Sequence, residues 1–368
     1  MSFLSEYNAV SRLLKQKQQV VFYAESRHYF QYFKPLLGDL LGKKVQVCYI
    51  TSDPLDKLLK SPPDGLNVVY AKWMLGFIFP RLQADVMIMT MPDLGHFLYK
   101  RSPGVGTYIY MFHAAVSTHQ QYRRDAFVNY DCIFCTGEYQ QHEIRKAEEL
   151  YGHPVKEIVP YGYPLFKELA TTIPVAGEKQ VILIAPSWFS GCIFETCIEE
   201  LLKELAVLPY TIILRSHPEY EKRNKRGFNS IRKLVKMYQH MFIDDLPDVT
   251  ERLSKSDILI TDRSGIAFEF AIGTSKPVIF IETVLKETNK DWRELNIEPL
   301  ENSLRPELGV ILQPSELNKL ANKLKEAESL RAGFAEKMKD LKEKHFFYST
   351  SSYKKGLDYA LAKINTGK

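Results

Sequence analysis

DILITDRSGIAFEFAIGTSKPVIFIE, residues Asp257–Glu282, sets the frame for the whole chain. Asp257–Thr261 is a short apolar run of strand type, and Pro277–Ile281 is a second. Between them, Ile266–Ile272 is apolar nearly all round, as a buried helix is. Ser264 suits the N-cap of that helix, Gly265 allows a sharp turn into it, and Gly273 stops it. Two apolar strands around so short a helix suggest the inside of a parallel α/β sheet. A strand end that turns into a helix N-terminus presents unpaired amides and the positive end of the helix dipole, which suits an anion. The expectation is a phosphate-bearing ligand over Asp262, Ser264 and Gly265. The plainer alternative is an ordinary βαβ turn with a capped helix.

The same rhythm extends in both directions. Val181–Ala185 runs into Pro186-Ser-Trp188, and Thr211–Leu214 runs into Arg215-Ser-His-Pro218. Glu195–Leu205 and Asn229–His240 read as helices, Leu308–Leu312 as a last strand, and Leu317–Lys342 and Tyr353–Ile364 as closing helices. Upstream, Val20–Tyr23, Val45–Ile50, Asp85–Thr90, Tyr108–Phe112, Cys132–Cys135 and Glu157–Val159 are strand-like. They alternate with helical stretches such as Tyr29–Leu41 and Glu138–Tyr151, and Ser117 starts a helix to about Phe127. A turn-rich join, Pro160–Pro164 followed by Thr171–Gln180, separates the two series. The pattern predicts two Rossmann-like α/β domains, 1–165 and 175–335, with strand ends facing a common cleft.

At 368 residues the chain can bury two such cores, and its formal charge of +5 is mildly basic. That charge suits a phosphate-rich or anionic-membrane partner and does not indicate nucleic acid. Cys132 and Cys135 are three apart in a strand, so their side chains should point to opposite faces rather than share a metal. The first residues are polar and helical, unlike a signal peptide, and no apolar run reaches the length of a membrane span. The expected location is the cytoplasm, with reduced thiols.

Three strand ends of the second series carry chemistry: Ser187-Trp188, Arg215-Ser216-His217 and Asp262-Arg263-Ser264. Arg215, His217 and Arg263 can offset a pyrophosphate, while hydroxyls and amides hydrogen-bond it. Trp188 either packs or stacks on a base. Glu269 could bind a ribose hydroxyl or a cation, or sit in a buried network. In the first series His113 follows a strand, and an imidazole titrating near neutrality can take a proton from an attacking hydroxyl. His96, His119 and Glu25 are weaker candidates. No D-x-D occurs, so a divalent-metal nucleotide-sugar site of that type is not supported, and there is no P-loop or G-x-G-x-x-G; no cofactor is expected. Lys222–Lys236 is strongly basic, either a solvated helix face or a contact for anionic lipid or polyphosphate.

Five pieces in order, FHAAVS (Phe112–Ser117), YDCIFCTGEY (Tyr130–Tyr139), IAPSW (Ile184–Trp188), LRSHPE (Leu214–Glu219) and Ser256–Phe280, resemble the CDP-glycerol glycerophosphotransferase family. These are the teichoic-acid primases and polymerases. The resemblance covers Tyr108 to Phe280; the first hundred residues share only the α/β pattern. It implies a GT-B fold without a required metal, and C-terminal helices, 336–368, that return to the first domain. It implies transfer of a polyol phosphate from a CDP-activated donor to a hydroxyl of a polymer or lipid-linked acceptor, at the inner face of a membrane. By resemblance His113 is the general base, and His217 sits at the donor phosphates. Asp262, Ser264 and Gly265 match the donor loop, and Glu269 matches an acidic position after it. The chain departs from the family where aromatic-His-Gly becomes Phe112-His113-Ala114, and where Tyr-Ser-Ser becomes Arg263-Ser264-Gly265. Those departures bear on the identity of donor and acceptor. A GT-B glycosyltransferase using a nucleotide sugar, or a non-catalytic GT-B binding protein, are the alternatives.

Overall fold

The computed structural model describes residues 2–171 and 180–364. Seven strands form the first sheet: β1 Gln18–Ala24, β2 Val47–Thr51, β3 Leu66–Tyr70, β4 Ala84–Met89, β5 Val105–Met111, β6 Cys132–Cys135 and β7 Glu157–Pro160. Six form the second: β8 Val181–Ile184, β9 Thr211–Arg215, β10 Met241–Asp244, β11 Ile258–Thr261, β12 Val278–Ile281 and β13 Gly309–Leu312. Every pairing is parallel, and the orders are β3-β2-β1-β4-β5-β6-β7 and β10-β9-β8-β11-β12-β13. Central strands such as VVFYA, MIM and ILIT are buried on both faces because helices cover both sides. Cys132 and Cys135 fall in different core clusters on opposite faces of β6, as their spacing requires.

In each sheet the strand order reverses between the first and fourth strands, at β1/β4 and at β8/β11. Loops leaving the carboxyl ends of strands on either side of such a point diverge and leave a crevice. The two sheets are thus two doubly wound Rossmann-like domains, the GT-B arrangement. The final helix, Thr350–Lys363, lies on the first domain. There the Tyr353 hydroxyl donates to the Tyr163 carbonyl at 2.8 Å, and Lys363 meets Glu157 at 2.7 Å. The segment expected to divide the domains, Thr171–Gln180, lies outside the described residues over 172–179.

Several local expectations are corrected. The helix after β11 spans Ile266–Thr274, the residue before it is Gly265 rather than Ser264, and no side chain caps it. Gly265 has an ordinary helical φ of −63°. What it needs is space, because a Cβ there would lie 2.9 Å from Val116 Cγ1 of the first domain. Gly273 is inside the helix, where a Cβ would lie 2.5 Å from Leu169; the helix ends at Ser275, with φ of 56°. The helix expected from Ser117 is one turn, Thr118–Gln121, and that of Glu195–Leu205 breaks at Cys197. Asn229–His240 is replaced by helices Pro218–Arg223 and Lys225–Val235. The long closing helix breaks at Ala332-Gly333. Strand β10 escapes sequence reading because MFID is four residues at a half-exposed sheet edge, with neither an apolar run nor an alternation.

The one-turn helix at Thr118 joins the domains. Glu301 of the second accepts hydrogen bonds from Ser117 N (2.9 Å), Ser117 Oγ (2.8 Å) and Gln121 Nε2 (2.9 Å) of the first. His119 is buried beside Glu143 (3.4 Å) and reaches the Ile297 carbonyl at 3.0 Å. It is a packing histidine of this junction, with no face on the cleft.

Candidate active site

The crevice between the domains is a cavity of 540 Å³, and its walls carry the ends of β1, β5, β8 and β9 and the start of the helix after β11. That size accommodates a nucleotide-sized ligand. His113, Ser187, Trp188, Arg215, His217, Ser264, Gly265 and Glu269 all line it. Asp262 and Arg263 do not.

The two histidines face the cleft with opposite hydrogen-bonding character. His113 Nδ1 lies 3.0 Å from the Thr90 carbonyl. A carbonyl only accepts, so Nδ1 carries the proton and Nε2 has a free lone pair. Burial holds the imidazole down to about 4, with the charge of Lys286 acting the same way, so His113 is neutral near pH 7. Tyr29, Tyr32 and Tyr122 stand edge-on around its ring at 5.2, 6.2 and 6.4 Å. His217 is the reverse. Its Nδ1 accepts from the Glu219 amide at 3.1 Å, which makes Nδ1 the unprotonated nitrogen and leaves N–H on Nε2. This bond exists because His217 is the N-cap of helix Pro218–Arg223, whose proline at the first turn fixes the entry. Burial, with Lys286 and His113 nearby, pushes His217 well down as well. One histidine is therefore poised to take a proton and the other to donate a hydrogen bond.

Around them the second domain supplies hydroxyls and a helix end. Among the described residues Ser187 Oγ is buried with no hydrogen-bond partner beside the cleft, while its amide is held by Asp262 at 2.8 Å. Ser264, Gly265 and Ile266 bring the N-terminal end of a nine-residue apolar helix to the wall. Trp188 presents its ring 6.1 Å from that of His217 and is flanked by Arg223 at 4.8 Å and Lys286 at 5.4 Å.

Two expected ligand residues have other work. The buried carboxylate of Asp262 accepts the amides of Ser187 (2.8 Å), Ile193 (3.0 Å) and Arg263 (2.7 Å). It braces the loops that shape the wall. Arg263 pairs with Glu282, which also takes Arg305 at 2.8 Å. Arg215 does line the cleft, but its guanidinium donates to Asp244 (2.6 Å) and to the Leu246 carbonyl (2.8 Å), so its charge is compensated within the second domain.

Glu269 is buried at the cleft floor. The Tyr163 hydroxyl bonds its carboxyl and lies 3.1 Å from the backbone carbonyl of His113. Burial raises Glu269 from 4.5 to about 7, against the opposing effects of Tyr163 and Arg215. Sequence reasoning did not single out Tyr163, which sits in the turn-rich join, nor Lys286, which sits in an aperiodic loop after β12. It also passed over His28, whose Nδ1 meets the Pro247 carbonyl of the other domain at 2.9 Å. Glu25, also in the wall, is raised by burial and receives the Tyr99 hydroxyl at 3.4 Å. His96 lies toward the mouth, 3.6 Å from Asp125. No group of His, Cys, Asp and Glu among the described residues has the arrangement of a metal site.

A family model described as CDP-glycerol:poly(glycerophosphate) glycerophosphotransferase matches residues 112–353. The teichoic acid ribitol-phosphate polymerase TarL of Staphylococcus aureus is 27% identical over 171 residues, which make up 40% of this chain and 29% of that one. The chain thus matches under a third of that relative's length. Among solved structures, the wall teichoic acid polymerase TagF shares the fold at a TM-score of 0.64 and 16% identity, over 99% of both chains. A putative UDP-N-acetylglucosamine 2-epimerase from Listeria monocytogenes shares it at 0.60 and 12% identity, over 96% of this chain and 98% of that one.

Proposed function

The chain belongs to the CDP-glycerol:poly(glycerophosphate) glycerophosphotransferase family, and on that premise we propose that it transfers a polyol phosphate from a CDP-activated donor to a hydroxyl of a polymer or lipid-linked acceptor. The observation that carries this reading is the opposite tautomers of His113 and His217 across one cleft. The acceptor oxygen attacks the β-phosphorus of the donor, and the bond from that phosphorus to the oxygen bridging the two phosphates breaks. The polyol phosphate ends on the acceptor oxygen, and CMP leaves with the bridging oxygen and its electron pair. His113 Nε2 takes the hydroxyl proton as the new bond forms. His217 Nε2–H, the Ser187 hydroxyl and the helix end at Ser264-Gly265 hold phosphoryl oxygens where charge collects on departing CMP. Trp188 offers a face to the cytosine ring. Asp262 acts through Ser187 as a positioning residue.

The acceptor is taken at a membrane surface. Phe3, Tyr7, Trp73, Phe77, Phe97 and Leu98 are exposed, Trp73 at 73% and Phe97 at 85%. Glu6 ties the first helix to the Trp73 segment by accepting the Lys72 and Met74 amides at 2.8 Å each, and Leu98 lies over Gly76. Phe97 also lines the cleft. Aromatic side chains among lysine and arginine, leading into the mouth near His113, suit an interface where lipid headgroups meet water. No helix among the described residues is long and apolar enough to cross a membrane. Trp73→Ser with Phe77→Ser should release the protein from vesicles of anionic phospholipid; a wild type that leaves such vesicles unbound refutes the surface.

A donor screen tests the chemistry. CDP-glycerol or CDP-ribitol should raise the melting temperature of the purified chain and be turned over with a polyol-phosphate acceptor. Stabilisation by a UDP- or CMP-sugar with no response to either CDP-polyol would replace this reading with a nucleotide-sugar transferase.

A further inference from the structure

Most positive groups near the cleft already face a carboxylate. Arg215 meets Asp244, Arg263 and Arg305 share Glu282, and Lys222 and Arg223 both meet Glu219. Lys286 differs. It is part-buried in the cleft wall, and among the described residues its ammonium makes no ion pair or hydrogen bond. The carboxylates that act on it from a distance, Asp262 and Glu301, are committed elsewhere. Asp262 holds three backbone amides, and Glu301 holds Ser117 and Gln121. Its Nζ lies over the Trp188 ring, 5.4 Å from the centroid. Its charge is felt at both His113 and His217, and all three side chains line the one cleft.

A diphosphate bound between two neutral histidines needs a counter-charge, and among the described residues of the wall the other guanidinium and ammonium groups already face carboxylates. A lysine suits this, because its ammonium is a point charge on a flexible four-carbon stem and can follow phosphoryl oxygens that move as the bond breaks. We propose that Lys286 supplies the positive charge for the donor's diphosphate, and that its ammonium and the nucleobase compete for the face of Trp188. The inference rests on the CDP-donor reading above. It also says what that reading leaves open, namely which group neutralises the donor.

The test is calorimetric titration of the full chain, as wild type, Lys286→Met and Lys286→Arg, with three probes: CDP-glycerol, inorganic pyrophosphate and cytidine. Loss of one charge-assisted contact in a partly buried site weakens binding by about tenfold to a hundredfold. Lys286→Met should weaken CDP-glycerol and pyrophosphate by that much, and Lys286→Arg should recover most of it. Cytidine should bind Lys286→Met more tightly than wild type, because the Trp188 face is released. Equal binding of pyrophosphate and CDP-glycerol by wild type and Lys286→Met overturns the proposal and leaves the donor reading intact. A wild type that binds pyrophosphate but no cytidine compound sinks the donor reading, while the pyrophosphate comparison still decides Lys286. A wild type that binds none of the three overturns both.

Discussion

Replacing Glu269 by glutamine should make the protein more stable at pH 8 than the wild type, although the residue lines the cleft. Glutamine keeps the shape and keeps an acceptor for the Tyr163 hydroxyl. It removes only the charge. In the folded protein burial raises the carboxyl from 4.5 to about 7, so between those values the folded state holds a proton that the unfolded chain has lost. The stability this proton brings is complete below the unfolded value and declines as pH rises through the folded one. Above that, the protein carries a buried carboxylate disfavoured by roughly 3 kcal/mol, since each pH unit of difference is worth about 1.4 kcal/mol. At pH 5 the same arithmetic leaves under about 1 kcal/mol. The residue is buried at 5% exposure, so water does little to screen the effect. With an unfolding entropy near 2.1 cal/mol/K per residue, roughly 3 kcal/mol raises the midpoint of a chain this size by about 4 °C at pH 8. At pH 5 the gain should be about 1 °C. Calorimetric melts of wild type and Glu269→Gln at both values measure it. A midpoint difference independent of pH, or a variant that melts lower at pH 8, would refute the argument that burial dominates over the Tyr163 bond.

His113→Ala should lower turnover by about 10²- to 10⁴-fold, the usual share of a general base, with donor affinity retained. As the proposed base, His113 would work unprotonated, and burial holds it to about 4, so kcat/KM should fall only as pH drops through that value. A pH–rate profile with a protonation limb near the ordinary histidine value would count against it. Asp262→Ala strands three buried amides, each costing about 1–3 kcal/mol when unpaired, and should lower the denaturation midpoint and change the fluorescence of nearby Trp188. An unchanged midpoint rules out the bracing role. Gly265→Ala puts a methyl 2.9 Å from Val116 Cγ1 and should cost about 1–3 kcal/mol. Shortening the neighbour as well, with Val116→Ala, should restore most of the loss, and failure to do so means the contact is not the cause.

The architecture was legible because the strands announce themselves. Runs such as VVFYA and ILIT are apolar at nearly every position, and a sheet covered on both faces uses strands like that. The cleft followed from strand ends, and the structure brings His113, Trp188, His217 and Ser264 to one cleft. Side-chain direction was not legible. Asp262 and Arg263 follow the same strand as Ser264, yet one turns back onto backbone amides and the other onto Glu282. Adjacent residues at a strand end point to different sides, and the sequence carries no mark of which side holds the ligand. Tyr163 and Lys286 were missed for a related reason: each acts across a contact made by distant segments, and no local period surrounds either. The junction helix expected to reach Phe127 shortened to one turn because its polar groups serve Glu301 and Glu143.

The contact of Gly265 with Val116 bears on a competition that any phosphoryl-transfer enzyme faces. Water is a smaller nucleophile than a sugar-alcohol hydroxyl and far more abundant, and an activated diphosphate exposed to both is hydrolysed. A Cβ on residue 265 would lie 2.9 Å from Val116 Cγ1, so the two domains come close together where the loop after β11 reaches the cleft. In the proposed transfer, close packing at that point narrows the route by which water could reach the phosphorus. In the proposed transfer, the absence of one methyl group thus favours the acceptor hydroxyl over water.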